Sequence, residues 1–510
     1  MPRSTAFQPP PAWRLAAALT VALALGGCAS HSVFNPVTGR SEISAVSESD
    51  LQAQADEARE ALVDEHGLYA HDKLQAYVTA IGLKVAAVSH QPGLPWRFTV
   101  LDSEIVNAFA LPGGQVFVTR GLLAHLQNEA ELAGVLGHEI AHVTARHGAH
   151  RASGAAVAER GVLAAINVGQ FLERRGVAGA EQRLRRLGLG LAQGLVARYS
   201  REQELEADRI GAEYLARAGY DARELLGVLR MLQALERHGA EHGPARPRDA
   251  AEPTPDWLAS HPGTEQRLRE AQRDLAPLRR DADDGRARYL AAIDGLVWGD
   301  SPDKGLVRER LFVHPRARYA LTAPPGWDIE VDGSAVALHT PEGDATLTVR
   351  LLPRPAGRTH AQVIQNLLQP TEGRSVARRV GGFAGTHFVG SRLRGEQRVP
   401  LRATVVTGPG QRLFLVDYTA RDAAALQRAL ATMQAAEQSF RAMTEADRRA
   451  ARVWRLAVAP LPEGGFAELA RATPLGSEGE ATLRLINAAG PAGAPPAPGT
   501  PVKTLRESVR

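Results

Sequence analysis

A chain of 510 residues is too long for one typical hydrophobic core and predicts two to four domains. Its 60 lysines and arginines nearly balance 56 aspartates and glutamates, so the formal net charge is only +4. We find no basic face interleaved with aromatic residues, and the composition therefore argues against nucleic acid as a partner.

The N-terminal segment is typical of a bacterial signal peptide. Two arginines, Arg3 and Arg14, precede the apolar run LAAALTVALALGG, which is too short to span a bilayer. The run ends in LGGC at Cys28, the single cysteine of the chain, and small residues before a cysteine resemble a lipoprotein box. We therefore expect residues 1–28 to be a signal peptide with Cys28 lipidated. Because Ala29 and not aspartate follows, we expect an anchor in the outer membrane, with the mature chain in the periplasm.

Helical and strand patterns alternate in the next part of the chain. A helical pattern runs from about residue 50 to 88, and an alternating apolar pattern from Trp96 then surrounds the turn signal Pro112-Gly113-Gly114. The spacing of Asn128 and Glu131 predicts the start of a helix that contains GVLGHEIAHVTARHGAH.

The remaining segments complete an α+β fold class. Residues 152–196 resemble loosely packed helices, and a second strong helix runs from about residue 200 to 218. We predict a mostly helical domain with a small edge sheet over residues 29–300 and a small α+β domain over 305–445. Residues 450–510 form the tail.

The helix that begins near Asn128 contains H-E-x-x-H. Because positions i and i+4 share a helix face, His138 and His142 can both present an imidazole to one zinc ion. Glu139 points about 100° away, so it can act on a water that the metal activates. His147 and His150 extend this helix, and we expect them to be exposed and not to be ligands.

Two known layouts for a third ligand fail. A metzincin would need glycine in place of Ala145 and histidine in place of Gly148. A thermolysin-like layout needs a glutamate about twenty residues on and an aspartate four residues later, but Leu163 and Val177 occupy the aspartate positions after the two candidate glutamates.

A layout with a longer insertion succeeds. The segment YSREQELEADRIG places Glu204 and Asp208 one helical turn apart. Glu204 can be the third zinc ligand, and Asp208 can accept a hydrogen bond from the far nitrogen of a ligand histidine.

This set of motifs resembles the gluzincin metallopeptidases of the HtpX and CAAX-prenyl-protease type. The second motif of that family, S-R-x-x-E-x-x-A-D, is matched by Ser200, Arg201, Glu204, Ala207 and Asp208. The segment NPVTGR is typical of the periplasmic lipoprotein branch, and the resemblance covers about residues 30–275. It implies an endopeptidase with one zinc ion per chain.

The resemblance also implies further site residues. The segment SHP with Arg267 resembles a later His-Pro motif, so His261 is expected as a gating histidine or fourth ligand. We expect Arg267 either to orient substrate or to pair with an acidic side chain. NAFALPGG and FVTRGLL resemble the substrate-side edge strand, which makes Gln115 and Phe117 candidate substrate-binding residues.

The chain departs from that family in its C-terminal half. We find no tetratricopeptide repeats after the peptidase region, although one member of the branch carries them. The tail, with FAELA, LRLIN and PGTPVK, resembles a degenerate LysM module, which would permit contact with peptidoglycan. Gly464-Gly465 replaces its usual Gly-Asp, which puts glycan binding in doubt.

The sequence therefore predicts a zinc endopeptidase for unfolded or misassembled envelope proteins, with peptides as substrates and Cys28 as the membrane attachment. The alternative hypothesis is a non-cleaving chaperone or peptidoglycan-bound scaffold that keeps zinc for structure. Glu139 argues against that alternative, because a structural zinc site has no need of a general base.

Overall fold

Helices dominate the first 300 residues and strands dominate the rest, which confirms a mixed α and β fold. The computed structural model describes residues 31–156, 199–242, 261–275, 277, 282–332, 335–353, 356–394, 397–473, 475–490 and 495–508. Cys28, and most of the predicted helical segment 152–196, lie outside the described residues. Among the described helices, none is both long and apolar enough to cross a membrane.

The helices fall into two groups along the chain. Those of the first 300 residues are α1 (Glu48–His66), α2 (Asp72–Ala86), α3 (Arg120–His125), α4 (Glu129–Thr144), α5 (Arg201–Arg217), α6 (Glu224–His242), α7 (Thr264–Asp274) and α8 (Arg286–Ile293). The later ones are α9 (His360–Val363), α10 (Ala423–Gln438), α11 (Glu445–Ala450), α12 (Gly465–Ala470) and α13 (Gly479–Ile486).

The early strands form small sheets among the helices, and the later strands form larger sheets. The strands up to residue 300 are β1 (His31–Asn35), β2 (Arg40–Ser44), β3 (Arg97–Leu101), β4 (Ala108–Leu111), β5 (Gln115–Thr119) and β6 (Val297–Trp298). The others are β7 (Leu306–Arg308), β8 (Leu311–His314), β9 (Tyr319–Thr322), β10 (Asp328–Asp332), β11 (Ala335–His339), β12 (Ala345–Leu351), β13 (Glu372–Val380), β14 (Phe383–Arg394), β15 (Gln397–Thr407), β16 (Leu413–Ala420), β17 (Arg441–Ala442), β18 (Val453–Pro460) and β19 (Pro501–Ser508).

The early sheet corrects one prediction about the substrate-side strand. Its order is β3-β5-β4, with β3 parallel and β4 antiparallel to β5. Gly113 and Gly114, with φ of 81° and 87°, turn β4 back onto one side of β5, while β3 pairs with the other side. Gln115 and Phe117 therefore lie in a central, buried strand that has no room for another partner, and the outer strands are β3 and β4.

Helices α4 and α5 cross at a pair of glycines. A Cβ added to Gly211 would lie 2.9 Å from the backbone nitrogen of His138, and one added to Gly137 would lie 3.1 Å from the carbonyl oxygen of Gly211. Only residues without side chains allow two backbones to approach this closely. The crossing places the middle of α4 directly against the middle of α5.

The middle region is built on an antiparallel seven-stranded sheet. Its order is β10-β11-β12-β16-β15-β14-β13, and a separate four-stranded sheet has the order β17-β9-β8-β7. On one face of the large sheet, α10 packs through Ala429 and Met433. Residues 356–368, which include α9, cover part of the other face with Val363 and Leu368.

The C-terminal segment packs onto the helical region as part of the same core. It consists of β18, α12, α13 and β19, and β18 also pairs with β6. Leu456 and Leu505 belong to the hydrophobic core that contains residues of α4 and α5. FAELA and LRLI are helical and PVK begins a strand, while the LysM resemblance and glycan binding stay predictions.

A buried lysine joins this segment to the end of α3. The Lys503 side chain is 0% exposed, and its Nζ donates hydrogen bonds of 2.8 Å to the carbonyl oxygens of Ala124 and Leu126. Burial lowers the pKa of the Lys503 ammonium well below its usual range, and the nearby Glu131 carboxylate acts against that shift. The contact closes the end of α3, where carbonyl groups lack helical partners.

Lys503→Met is expected to lower the free energy of unfolding by about 2–4 kcal/mol, because it leaves two buried carbonyl groups without their donor. Urea unfolding followed by circular dichroism measures the change. Lys73→Met, at an exposed position of α2, is the matched control and should change stability by less than about 0.5 kcal/mol. Equal stability of the two variants would contradict a structural role for Lys503.

Candidate metal centre

The first motif lies on a helix that begins where the sequence predicts. Asn128 caps α4, and its side chain accepts a hydrogen bond of 2.7 Å from the backbone N–H of Glu131. His138, Glu139 and His142 follow within the helix and are fully buried. The apolar residues around them hold this stretch of α4 in the core.

The second motif lies on α5, which begins with a capping box between Ser200 and Gln203. Glu204 and Asp208 follow one turn apart, and both are buried. The glycine crossing of α4 and α5 brings these two carboxylates against the two histidines of α4.

Four side chains converge on one point. Each of His138, His142, Glu204 and His261 offers a ligand atom, and the four atoms lie within 4.8 Å of one another. The Nε2 atoms of His138 and His142 are 3.0 Å apart, and Glu204 oxygens lie 3.6 Å and 3.4 Å from them. The Nδ1 atom of His261 lies 2.9 Å from Glu204 Oε1 and 3.4 Å from His138 Nε2. The structure thus brings together the residues that the sequence proposes as metal ligands.

Glu139 lies beside this cluster. Its Oε1 atom is 3.6 Å from His261 Nε2. Within the described part of the chain, neither of its buried carboxylate oxygens receives a hydrogen bond. Burial raises the pKa of the Glu139 carboxyl, and the nearby His261 and His138 rings oppose that shift. A carboxylate with a raised pKa is suited to accept and release a proton near neutral pH.

Two of the ligand side chains, His142 and Glu204, favour the protonation states that a metal needs. Burial lowers the pKa of the His142 ring well below its usual range, so the ring is neutral. Burial acts to raise the pKa of Glu204, but His261 and Arg267 outweigh it and hold that pKa well below its usual range. Neutral imidazoles and an ionised carboxylate are the forms that bind zinc.

Arg267 of α7 contacts two carboxylates of the cluster region. Its guanidinium donates two hydrogen bonds of 2.7 Å to Asp208, and a third nitrogen lies 2.7 Å from Glu204 Oε2. Asp208 in turn lies 3.0 Å from His138 Nδ1. Two roles were expected for Arg267, and its contacts show that it pairs with acidic side chains. Because the side chain is buried behind these carboxylates, it does not face a bound substrate.

The donor set fits a zinc ion. Zinc bonds of about 2.0–2.2 Å to nitrogen and oxygen place the ligands of a tetrahedral ion roughly 3.4 Å apart, and the distances between the four donors are close to this value. When Glu139 is ionised, Glu139, Glu204 and Asp208 carry three negative charges against the single positive charge of Arg267. The two charges of Zn²⁺ would neutralise the remainder.

Two neighbours of the cluster were not predicted as site residues. His147, expected to be exposed, is buried, and its ring lies against that of His142. Tyr199 stacks on His142 with ring centroids 3.9 Å apart. His150 is exposed, as expected. Tyr199 directly precedes the second motif, but its own type and spacing carried no signal for this contact.

A cavity of about 200 Å³ adjoins the cluster. Its lining includes His142 and Tyr199 on one side and Ala110 and Leu111 of β4 on another. One outer strand of the early sheet, β4, therefore borders the space next to the metal ligands.

Comparison with known proteins agrees with this geometry. Residues 72–274 match the model of Peptidase family M48. The β-barrel assembly-enhancing protease of Yersinia pestis is 30% identical over 255 residues, which cover 47% of this chain and 49% of that protein. Its counterpart in Escherichia coli K12 is 30% identical over 203 residues, covering 39% and 38%.

A eukaryotic relative matches as well. The mitochondrial metalloendopeptidase OMA1 of Schizosaccharomyces pombe is 28% identical over 286 residues, covering 54% of this chain and 78% of that protein. The chain spans less than half the length of the two bacterial proteases. Peptidases of family M48 use zinc, which agrees with the donor set described above. Residues 72–274 are therefore a zinc metallopeptidase domain of peptidase family M48.

Proposed function

We propose that the chain is an endopeptidase of the bacterial periplasm that hydrolyses peptide bonds in unfolded or misassembled envelope proteins. The observation that carries the activity is the buried four-donor cluster with the Glu139 carboxylate beside it. The names of the bacterial relatives associate proteolysis with β-barrel assembly, which supports envelope proteins as the substrate class. Lipidation at Cys28 would hold the chain at the outer membrane.

We assign the ligand roles to His138, His142 and Glu204, with His261 at a fourth position. Zinc, when bound there, polarises the scissile carbonyl and lowers the pKa of water. Glu139 takes a proton from the attacking water and then gives it to the leaving amine. Asp208 holds the His138 ring through the Nδ1 contact of 3.0 Å.

Substrate would enter along β4. An extended peptide can add to a free strand edge through main-chain hydrogen bonds, and β4 is the outer strand that borders the cavity next to His142. Phe109 and Leu111 of β4 are half-buried and can contact side chains of the peptide. This replaces Gln115 and Phe117 in the substrate-binding role.

His261 would act as a gate. Its ring lies 2.9 Å from Glu204 and 3.6 Å from Glu139, so it covers both a ligand and the general base. A peptide carbonyl that approaches the cluster must displace this ring. Such a resting state would limit cleavage of folded neighbours.

Glu139→Gln is expected to abolish cleavage of an unfolded model protein, with a loss of about 100- to 10,000-fold, because the amide cannot accept the proton. Zinc content, measured by mass spectrometry, should stay at one ion per chain. Glu202→Gln, an exposed position at the start of α5, is the matched control and should keep full activity. Full activity of Glu139→Gln would contradict the proposal. If the unaltered chain binds zinc but does not cleave the substrate, either the scaffold hypothesis is correct or His261 blocks the site.

His261→Ala separates these cases. Three ligands remain to hold zinc, and removal of the covering ring is expected to raise basal cleavage severalfold. The same protease assay on the same substrate measures it. Unchanged or lower activity, with zinc still bound, would contradict the gate.

A further inference from the structure

We propose that His147 and Glu206 form a relay that positions the ligand His142, which makes His147 a positioning residue of the metal centre. This inference rests on the proposed assignment of His142 as a ligand. It concerns residues outside the H-E-x-x-H motif and outside the matched positions of the second motif. Neither His147 nor Glu206 belongs to the group of four side chains that could hold the metal ion.

Two consecutive contacts connect His142 to His147 and His147 to Glu206, in the direction away from the four donor atoms. His142 directs Nε2 toward His138 and Glu204, while its Nδ1 atom lies 2.9 Å from His147 Nδ1. On the far side of the second ring, His147 Nε2 lies 3.2 Å from Glu206 Oε2. One imidazole therefore connects the ligand to a carboxylate on α5.

The chemistry of imidazole allows only one proton arrangement along this line. A histidine that binds metal through Nε2 carries its proton on Nδ1, and that N–H must donate to an acceptor. His147 supplies the acceptor if its own Nδ1 is bare, which places its proton on Nε2. That N–H then donates to the Glu206 carboxylate, so every partner is satisfied while both rings stay neutral.

Local backbone geometry brings His147 to this place. Helix α4 ends at Thr144, and Arg146 adopts a left-handed conformation with φ of 63°. Residues 147–156 are helical again after this interruption. In this arrangement the His147 ring lies against the His142 ring. The side chain of His147 is 2% exposed, whereas that of His150, one turn later, is 43% exposed.

The two ligand histidines are thus held differently. His138 meets the carboxylate of Asp208 directly, and Asp208 is anchored by the buried Arg267. His142 meets a second imidazole ring, and the carboxylate at the end of its relay, Glu206, is 37% exposed. Stacking by Tyr199 fixes the plane of the His142 ring, and the contact with His147 fixes the direction of Nδ1 within that plane.

The test measures zinc affinity by competition with a chelator, without reference to peptide cleavage. His147→Ala is expected to weaken zinc binding about 10- to 100-fold, the usual effect of removing a group that orients a ligand. His147→Asn should restore most of the affinity, since the asparagine carbonyl oxygen can accept the His142 N–H. Glu206→Ala should weaken binding less than His147→Ala.

His150→Ala is the matched control. His150 also pairs with a glutamate, Glu42, at 2.6 Å and lies on the same helical segment, but it does not contact the cluster. Zinc affinity of His147→Ala equal to that of His150→Ala would overturn the relay. Circular dichroism of the zinc-free variants identifies any loss of folding. If His147→Ala does not fold, the folded His147→Asn decides: affinity close to that of the unaltered chain supports the relay, and affinity about 10-fold or more weaker contradicts it.

A separate variant distinguishes failure of the relay from failure of the proposed function. If His142→Ala binds zinc as tightly as the unaltered chain, His142 is not a ligand and the proposed site is wrong. If His142→Ala loses zinc while His147→Ala keeps it, the site stands and the relay is wrong. The visible spectrum of the cobalt-substituted protein provides a second readout, because a rotated His142 ring changes the ligand field.

Discussion

The contact between Gly137 and Gly211 is the constraint on which the metal centre depends. Two histidines on one helix and a glutamate on another can meet only if the two backbones approach closely at that level. A side chain at either glycine would contact the opposite backbone, at 2.9 Å in one case and 3.1 Å in the other. Since tetrahedral zinc ligands are only roughly 3.4 Å apart, separation of these helices by the thickness of a methyl group would break the cluster.

Close packing alone would not make the cluster stable, because it buries several ionisable groups. Arg267 compensates part of the negative charge by contacting Glu204 and Asp208 at once. The bidentate geometry suits arginine and not lysine, whose single ammonium group could not reach both carboxylates in this way. The charge that remains equals that of one divalent cation, so the polar network and the metal complement each other.

The sequence predicts the parts of this site that depend on local spacing. The i, i+4 spacing places His138 and His142 on one face, and Asn128 marks the start of their helix correctly. The segment NAFALPGG contains the outer strand β4, but Gln115 and Phe117 were chosen from the next strand, because both strands have the same alternating pattern. Which strand lies outside depends on how β3 folds back, and this pairing is long-range.

Motif spacing also does not predict which individual polar residues are buried. His147 looks like an exposed residue after a helix, and only the left-handed turn at Arg146 directs it inward. Lys503 lies more than 350 residues after the carbonyl groups that it contacts, in a tail that resembles a separate module. Tertiary packing decides both cases.

The two ends of α4 are consequently held by different parts of the chain. At its start, Asn128 caps the helix, while Lys503 closes the preceding helix α3 from the C-terminal segment. At its end, the turn at Arg146 places His147 on His142. A helix fixed at both ends has little freedom to rotate or slide, so the ligand histidines stay aligned with Glu204. The C-terminal segment therefore belongs to the framework of the metal centre, whatever else it binds, because the core residues it shares with α4 and α5 would be exposed without it.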